Sequence, residues 1–308
     1  TNSLGANAQL VLDGVIPIVV SVSSNIQDGY YNYLDTIPIL ITFNENITVS
    51  GTPQLTLETG YNDAVINYLS GSETSILTFN YIVSGGHSST DLDYNSENPF
   101  SLNSGTIVDG AGNFANLSLP SPGGANSLSS NSAIVIDTQP SSVSSVTSSA
   151  TNGTYKIDDV IPIILNFTEN VNISGTPQIT LATGSNSNAV VNYSSGSGSS
   201  EIIFNYQVAP FHSSDDLDYL TSSSLVLNQG TILDIAGNTS VLTLPEPGSA
   251  ASLSGNKDLI IDTTLPMAVS VTSTIQDNTY KVGDMIPITV TFNEAVNVST
   301  ANGTPSLT

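Results

Sequence analysis

Oxygen-bearing side chains recur along this sequence at a fixed spacing. Glu45 returns as Glu169 and Glu294, Asp109 as Asp234, Asn113 as Asn238, and Asp13 as Asp137 and Asp262. A further pair, Asp91 and Asp93 in Asp-Leu-Asp-Tyr, returns as Asp216 and Asp218. Carboxylates and amides gathered in this way form the donor set of Ca2+, a hard cation that takes roughly six to eight oxygen ligands. Strand direction indicates where they would meet. If the first strand of a unit leaves its leading pole, the second returns and ends there with Glu45. A later strand ends at the same pole with Asp109 and Asn113, where the linker residue Asp13 also arrives. The equivalent set in the next unit is Asp137, Glu169, Asp234 and Asn238, and the trailing-pole loops of the unit before add Asp91 and Asp93. Asp216 and Asp218 join Asp262 and Glu294 in a third set. The expectation is a Ca2+ site at each joint between units, stiffening it.

A plainer reading stands beside this one: the Asp and Asn of Asp-Gly-Ala-Gly-Asn could bond their own turn backbone, and the Glu could cap a loop. Asp28, Asp35, Asp159, Asp277 and Asp284 fall between the first two long strands, where turn chemistry is explanation enough. His87 and His212 recur upstream of Asp-Leu-Asp-Tyr. One histidine per unit does not build a zinc site, so packing or a loop hydrogen bond is the expected role. Catalysis finds little support. There is no Cys, no Gly-x-Ser-x-Gly elbow and no phosphate-cradling Gly-x-x-x-x-Gly-Lys run, and a catalytic carboxylate pair is not expected once per repeat.

The elements that must position these residues are themselves repeated. Tyr31 to Ile39, Tyr155 to Ile163 and Tyr280 to Ile288 are copies of one segment, and Pro38, Pro162 and Pro287 set the period at 124 and 125 residues. Gly51-Thr-Pro-Gln returns as Gly175-Thr-Pro-Gln. Apolar residues alternate with period two, as in Ile37, Ile39, Ile41 and Phe43, in short runs broken by Gly, Asn, Asp and Pro. Strands are predicted over 19–23, 37–43, 54–58, 64–69, 76–83, 102–108, 117–119 and 133–136. Such strand density fits an all-β fold of tandem Ig-like or fibronectin-like β-sandwich domains in an extended array. Ile136-Asp137-Thr and Ile261-Asp262-Thr mark the joints. They divide the chain into 1–14, the last strand of a preceding repeat; 15–138 and 139–263, two full repeats; and 264–308, the start of another. The chain is thus expected to be an excerpt of a longer array, with short Pro-bearing linkers that limit bending.

Composition narrows the partners. The 308 residues carry 3 Lys+Arg against 26 Asp+Glu, a formal charge of -23, so the clustered bases that nucleic acid requires are missing. No apolar run reaches the length that crosses a bilayer as a helix, so direct membrane insertion is not expected. Neighbouring units repel one another, which favours extension and is relieved by salt or divalent cations.

Taken in order, Tyr-Lys-(Ile/Val)-(Gly/Asp)-Asp, Phe-(Asn/Thr)-Glu-(Asn/Ala)-(Ile/Val), Gly-Thr-Pro-Gln, Asp-Leu-Asp-Tyr, Gly-Thr-Ile-(Val/Leu)-Asp-x-Ala-Gly-Asn and Leu-Pro-x-Pro-Gly resemble the bacterial Ig-like repeats of very large surface adhesins, including those of gliding Bacteroidota. The resemblance implies secretion, display at the cell surface and a role in attachment or as a stalk, and it names no receptor. A stalk that presents adhesive regions is the leading expectation, with neighbouring repeats of the same chain as partners. Two alternatives stand beside it: a module that binds a surface glycan or protein, and self-association into a filament or layer. A binding module would show one exposed pocket present in both units, and none is visible in the sequence.

Overall fold

A computed structural model describes residues 12–184, 188–301 and 303–308. The closing strand expected over 1–14 falls largely outside them. The described chain is nearly all β, in antiparallel sheets consistent with sandwich packing. In chain order the strands are β1 (Val19–Ser24), β2 (Gly29–Tyr31), β3 (Thr36–Ser50), β4 (Gln54–Glu58), β5 (Ala64–Ser70), β6 (Thr74–Ile82), β7 (Ser88–Ser89), β8 (Asp93–Tyr94), β9 (Phe100–Ser101), β10 (Thr106–Val108) and β11 (Ile134–Asp137). They return as β12 (Val143–Ser148), β13 (Gly153–Tyr155), β14 (Val160–Ser174), β15 (Gln178–Leu181), β16 (Ala189–Ser195), β17 (Ser199–Gln207), β18 (Ser213–Ser214), β19 (Leu225–Val226), β20 (Thr231–Asp234) and β21 (Leu259–Asp262). β22 (Ala268–Thr272) and β23 (Thr289–Phe292) pair antiparallel, as β1 and β3 do. One helical turn precedes each of β11 and β21: α1 (Leu128–Asn131) and α2 (Leu253–Asn256), N-capped by Ser127 and Ser252.

The main sheet runs β1-β3-β6-β5-β4-β8, with β10 on β3 and β9 on β4; a smaller sheet runs β2-β11-β7, in which β2 lies parallel to β11. The order repeats as β12-β14-β17-β16-β15-β19, with β20 on β14, beside β13-β21-β18. The buried apolar side chains form two separate clusters, one within 22–136 and one within 143–261. Ile39, Ile41, Leu55, Leu57 and Phe79 are fully buried in the first, as are Ile163, Leu165, Ile179, Leu181 and Phe204 in the second. Burying one such side chain is worth about 1.5–3 kcal/mol, so these alternating rows carry much of the stability.

β3 departs from the sequence reading. It was expected to stop near Phe43, yet it continues to Ser50 by changing partners. Thr36–Thr42 ladder with β6 and Thr48–Ser50 ladder with β10, and the register breaks over the residues between. Glu45 therefore lies within a strand. The strand expected over 102–108 shortens to β10, preceded by the separate β9. Leu117 and Leu119 pack against the core without forming a strand, because core contact there needs no ladder. β2, β7 and β8 are too short to carry a period-two signal.

The Gly-Thr-Pro motif marks a backbone crossing. Gly51 has φ of 75°, and a Cβ on it would lie 2.8 Å from the Cα of Gly105; a Cβ on Gly105 would lie 2.2 Å from the carbonyl oxygen of Ser50. Gly175 and Gly230 repeat the arrangement. A side chain at either place must displace backbone. Gly105→Ala is accordingly expected to destabilise the first unit by about 1–3 kcal/mol, read by thermal or denaturant unfolding. An unchanged midpoint would contradict the crossing.

Candidate metal centre

The repeated acids meet at two places. Carboxylate oxygens of Asp13, Glu45 and Asp109 lie within 4.8 Å of one another, and so do those of Asp137, Glu169 and Asp234. Each site combines three elements. The glutamate comes from the inward-facing row of the long strand, where Ile41, Phe43, Glu45 and Ile47 share one parity, as do Leu165, Phe167, Glu169 and Val171. The second carboxylate, Asp109 or Asp234, is buried at the end of the strand that pairs with the distal part of β3 or β14. The third, Asp13 or Asp137, comes from the segment that leads into β1 or β12.

The aspartates are anchored by their own turns. Asp109 Oδ1 accepts from the backbone of Ala111 at 2.8 Å and of Asn113 at 2.9 Å, and Asp234 Oδ1 accepts from Asn238 N at 2.8 Å. Gly112 and Gly237, at φ of 93° and 89°, supply the left-handed residue that this turn requires. Asp13, Asp137 and Asp262 each accept from the backbone N–H two residues on, at 3.0, 2.9 and 2.9 Å. Turn bonding thus holds for the aspartates. It does not reach the glutamate: Glu45 Oε1 is sealed from solvent without a hydrogen-bond partner, and so is Oε1 of Glu294.

Electrostatics place the strain on the same residue. Burial first, then Asp13 and Asp109, raise the pKa of Glu45 above the ordinary glutamate value. Burial first, then Asp137 and Asp234, do the same for Glu169. Burial works to raise the pKa of Asp109 as well, but the hydrogen bonds from Asn113, Ala111 and Gly112 outweigh it and hold the carboxyl below its usual range. No base compensates: Lys156 Nζ lies 3.7 Å from Asp159, and Lys257 Nζ donates to Ala150 O. Three carboxylates, an orphaned buried oxygen and no counter-charge fit a hard divalent cation, and the absence of Cys or His argues against a softer one.

Other expected ligands fall elsewhere. Asn113 and Asn238 enter the site as donors. The Nδ2 of Asn113 lies 2.7 Å from Asp109 Oδ2 and 3.3 Å from the carbonyl oxygens of Asp13 and Val15; that of Asn238 lies 3.0 Å from both Asp234 Oδ2 and Asp137 O. With acceptors on every side the amide nitrogen must face them, so each asparagine clamps the linker to the turn. Asp93 is engaged inside its own unit, accepting from Gly123 N at 2.9 Å and Ser129 Oγ at 2.7 Å, and Asp218 does the same with Gly248 N at 3.0 Å and Ser254 Oγ at 2.6 Å. Asp91 and Asp216 neighbour these residues, and burial followed by nearby acids raises both their pKa values. Leu92 N bonds Ile134 O, which puts this corner about 10 Å up β11 from Asp137. None of these four belongs to a three-carboxylate group among the described residues. Asp262 and Glu294 belong to no three-carboxylate group among the described residues. Asp35, Asp159 and Asp284 bond their own turns, as expected, and Asp28 accepts from Ala133 N.

Sequence reasoning missed a contact across the joint. Asn32 Nδ2, from the turn before β3, lies 3.3 Å from where a Cβ on Gly237 would stand. It missed too the pairing of His87 and His212 with Tyr81 and Tyr206, whose hydroxyls lie 2.8 and 2.9 Å from Nδ1. No model of a known protein family matches the chain, and no curated protein matches it.

A raised glutamate pKa has a defined effect on stability. With the folded-state value above the unfolded one, the contribution is fully present below the unfolded pKa, near 4.5, and is lost as pH rises through the folded value. In chelator, acidification from neutral toward pH of about 5 should therefore raise the melting temperature of the second unit more in the wild type than in Glu169→Gln. Parallel pH profiles for the two proteins would remove the argument for strain.

Proposed function

We propose that the chain is a repeat segment of a large extracellular surface adhesin, in which Ig-like units act as a stalk whose joints are stiffened by Ca2+. The observation that carries this is the carboxylate triad at the linker: three acids from three separate segments, repeated at the start of each full unit, with Glu45 Oε1 lacking any partner. The neighbouring repeat is the partner, and the role is mechanical rather than catalytic.

Each residue has a part. Glu45 or Glu169 presents a carboxylate from the body of the unit, Asp109 or Asp234 presents one fixed by its turn, and Asp13 or Asp137 presents one from the incoming linker. A bound cation supplies positive charge that neutralises the triad and attaches the linker to the unit that follows. Asn113 and Asn238 hold the linker carbonyls in place beside the triad. The net charge of -23 acts in the same direction, keeping consecutive units apart.

Calcium titration of the chelated protein tests the reading. At a free concentration about a hundredfold above Kd, a single site adds roughly 2.7 kcal/mol, seen as a higher melting temperature. The maximum dimension by small-angle scattering should become more sharply defined at the same time. Glu169→Gln should lower the response at the second site, and Asp137→Ala should leave both units folded while broadening the distribution of lengths. Identical melting and scattering with and without calcium would sink the proposal.

A further inference from the structure

A groove is present in the same place in both full units, lined by none of the triad carboxylates. It opens where β5 leaves β6. Tyr68 and Ser70 pair with Phe79 and Thr78, while Ala64–Asn67 turn to pair with β4, so the two strands diverge above the Tyr68–Phe79 contact. β16 parts from β17 in the same way beyond Tyr193 and Phe204. The spaces measure about 550 Å³ and 590 Å³. This lies within the range of roughly 300–1,000 Å³ common to small-ligand sites.

Its polar equipment is repeated and only partly engaged: Gln54 Nε2 donates to Asn67 Oδ1 at 2.9 Å, Gln178 Nε2 to Asn192 Oδ1 at 2.8 Å, and Asn205 Nδ2 to Ser194 Oγ at 2.9 Å. Asn67, Asn80 and His87 line the first groove; Asn192, Asn205 and His212 line the second. Each histidine is set in one tautomer. Tyr81 Oη lies 2.8 Å from Nδ1 of His87, which also accepts from Ser84 N at 3.4 Å; Tyr206 Oη lies 2.9 Å from Nδ1 of His212, which accepts from Ala209 N at 3.3 Å. Since backbone N–H groups donate to Nδ1, the ring proton sits on Nε2. His212 is 7% exposed and lines the groove, and its Nε2–H meets no acceptor among the described residues. A ligand acceptor in the groove would pair with this N–H in place of water. Backbone groups face the same space. Val83 exchanges both its hydrogen bonds with the turn leading into β3, so by antiparallel alternation Asn80 and Ile82 direct theirs toward the groove.

We propose that these two grooves bind a neutral carbohydrate, with the His87 and His212 Nε2–H groups and the asparagine amides recognising its hydroxyls. Neutrality follows from charge. The second groove is lined by no Asp or Glu although the chain carries 26, and the first by Asp63 alone, which accepts from Asn95 Nδ2, while the overall -23 repels an acidic glycan. Exposed aromatics are neighbours of groove residues in sequence: Tyr61, 99% exposed, is two residues from Asp63, and Phe211, 90% exposed, adjoins His212. Phe211 is held at φ of 70°, an unfavourable conformation for a bulky residue and one of the kind that clusters at binding sites. An extended peptide fits less well. Only Asn80 and Ile82 on one side and Val65 and Asn67 on the other turn backbone groups into the gap, and the strands close at Tyr68–Phe79, so no added strand can run through.

The test uses the full chain in chelator, applied to an immobilised panel of neutral glucose, galactose, mannose and N-acetylglucosamine oligomers, acidic uronate and sialyl oligomers, and unstructured peptides. The expected result is retention on at least one neutral class. It should weaken on the order of tenfold or more in Asn80→Ala/Asn205→Ala, whose exposed positions leave the fold intact by circular dichroism. Retention on acidic oligomers or peptides alone, no retention at all, or undiminished neutral-glycan binding by the double variant would each overturn the proposal.

Discussion

The arrangement at the joint depends on one placement: a carboxylate on the inward row of the longest strand. Phe43, Glu45 and Ile47 share the face that builds the core, so the glutamate is carried to the rim of the apolar interior and one oxygen is sealed there without a partner. Such a group is expensive unless something pairs with it. β3 changes partners over these residues, from β6 to β10, and this brings Asp109 at the end of β10 alongside. The linker then delivers Asp13. None of the three positions is a surface accident, because each is fixed by strand parity, by a glycine-dependent turn or by an aspartate that bonds two residues ahead in its own chain.

Much of this was legible in the residues, and the failures have identifiable causes. Alternation of Ile37, Ile39, Ile41 and Phe43 gave the strand and its buried face, and counting strand directions brought Asp137, Glu169 and Asp234 to one pole. The count succeeded although its premise of a strand ending before Glu45 was wrong, since a strand that swaps partners delivers its middle to the same pole. No local pattern announces that the loop of Asp93 and Asp218 folds onto the helical turns at Ser129 and Ser254. The asparagines were taken for oxygen ligands; their role depends on linker carbonyls, which a sequence does not place. The groove left one trace, the repeated outward amides Asn67/Asn192 and Asn80/Asn205, but its existence depends on β5 leaving β6, a property of register.

Charge is distributed with a division of labour. Acids gather at the poles, where they face the linker or anchor turns, while the flank that carries the second groove is lined with amides. In a chain with 26 acids and 3 bases, repulsion is strongest wherever carboxylates converge. Carboxylates also converge outside the triads: beside burial, Asp93 and Asp28 raise the pKa of Asp91, and Asp258 and Asp218 that of Asp216.

The joint also holds together without an ion, which sets how much an ion can add. Thr138, next to Asp137, donates through Oγ1 to His87 O at 2.9 Å and accepts from Gly86 N at 3.0 Å, fastening the linker to the unit behind; Asn238 Nδ2, 3.0 Å from Asp137 O, fastens it to the unit ahead. Thr263 repeats the first of these bonds with His212 at 2.8 Å. Each such bond is worth about 0.5–1.5 kcal/mol net, enough to bias the linker toward one path while leaving it able to bend. Charge pulls the other way, because the three acids beside the same linker repel one another until neutralised. On the proposed reading, a cation at the triad would convert a hydrogen-bonded but electrostatically strained hinge into a stiff one, and its removal would soften the joint without unfastening it.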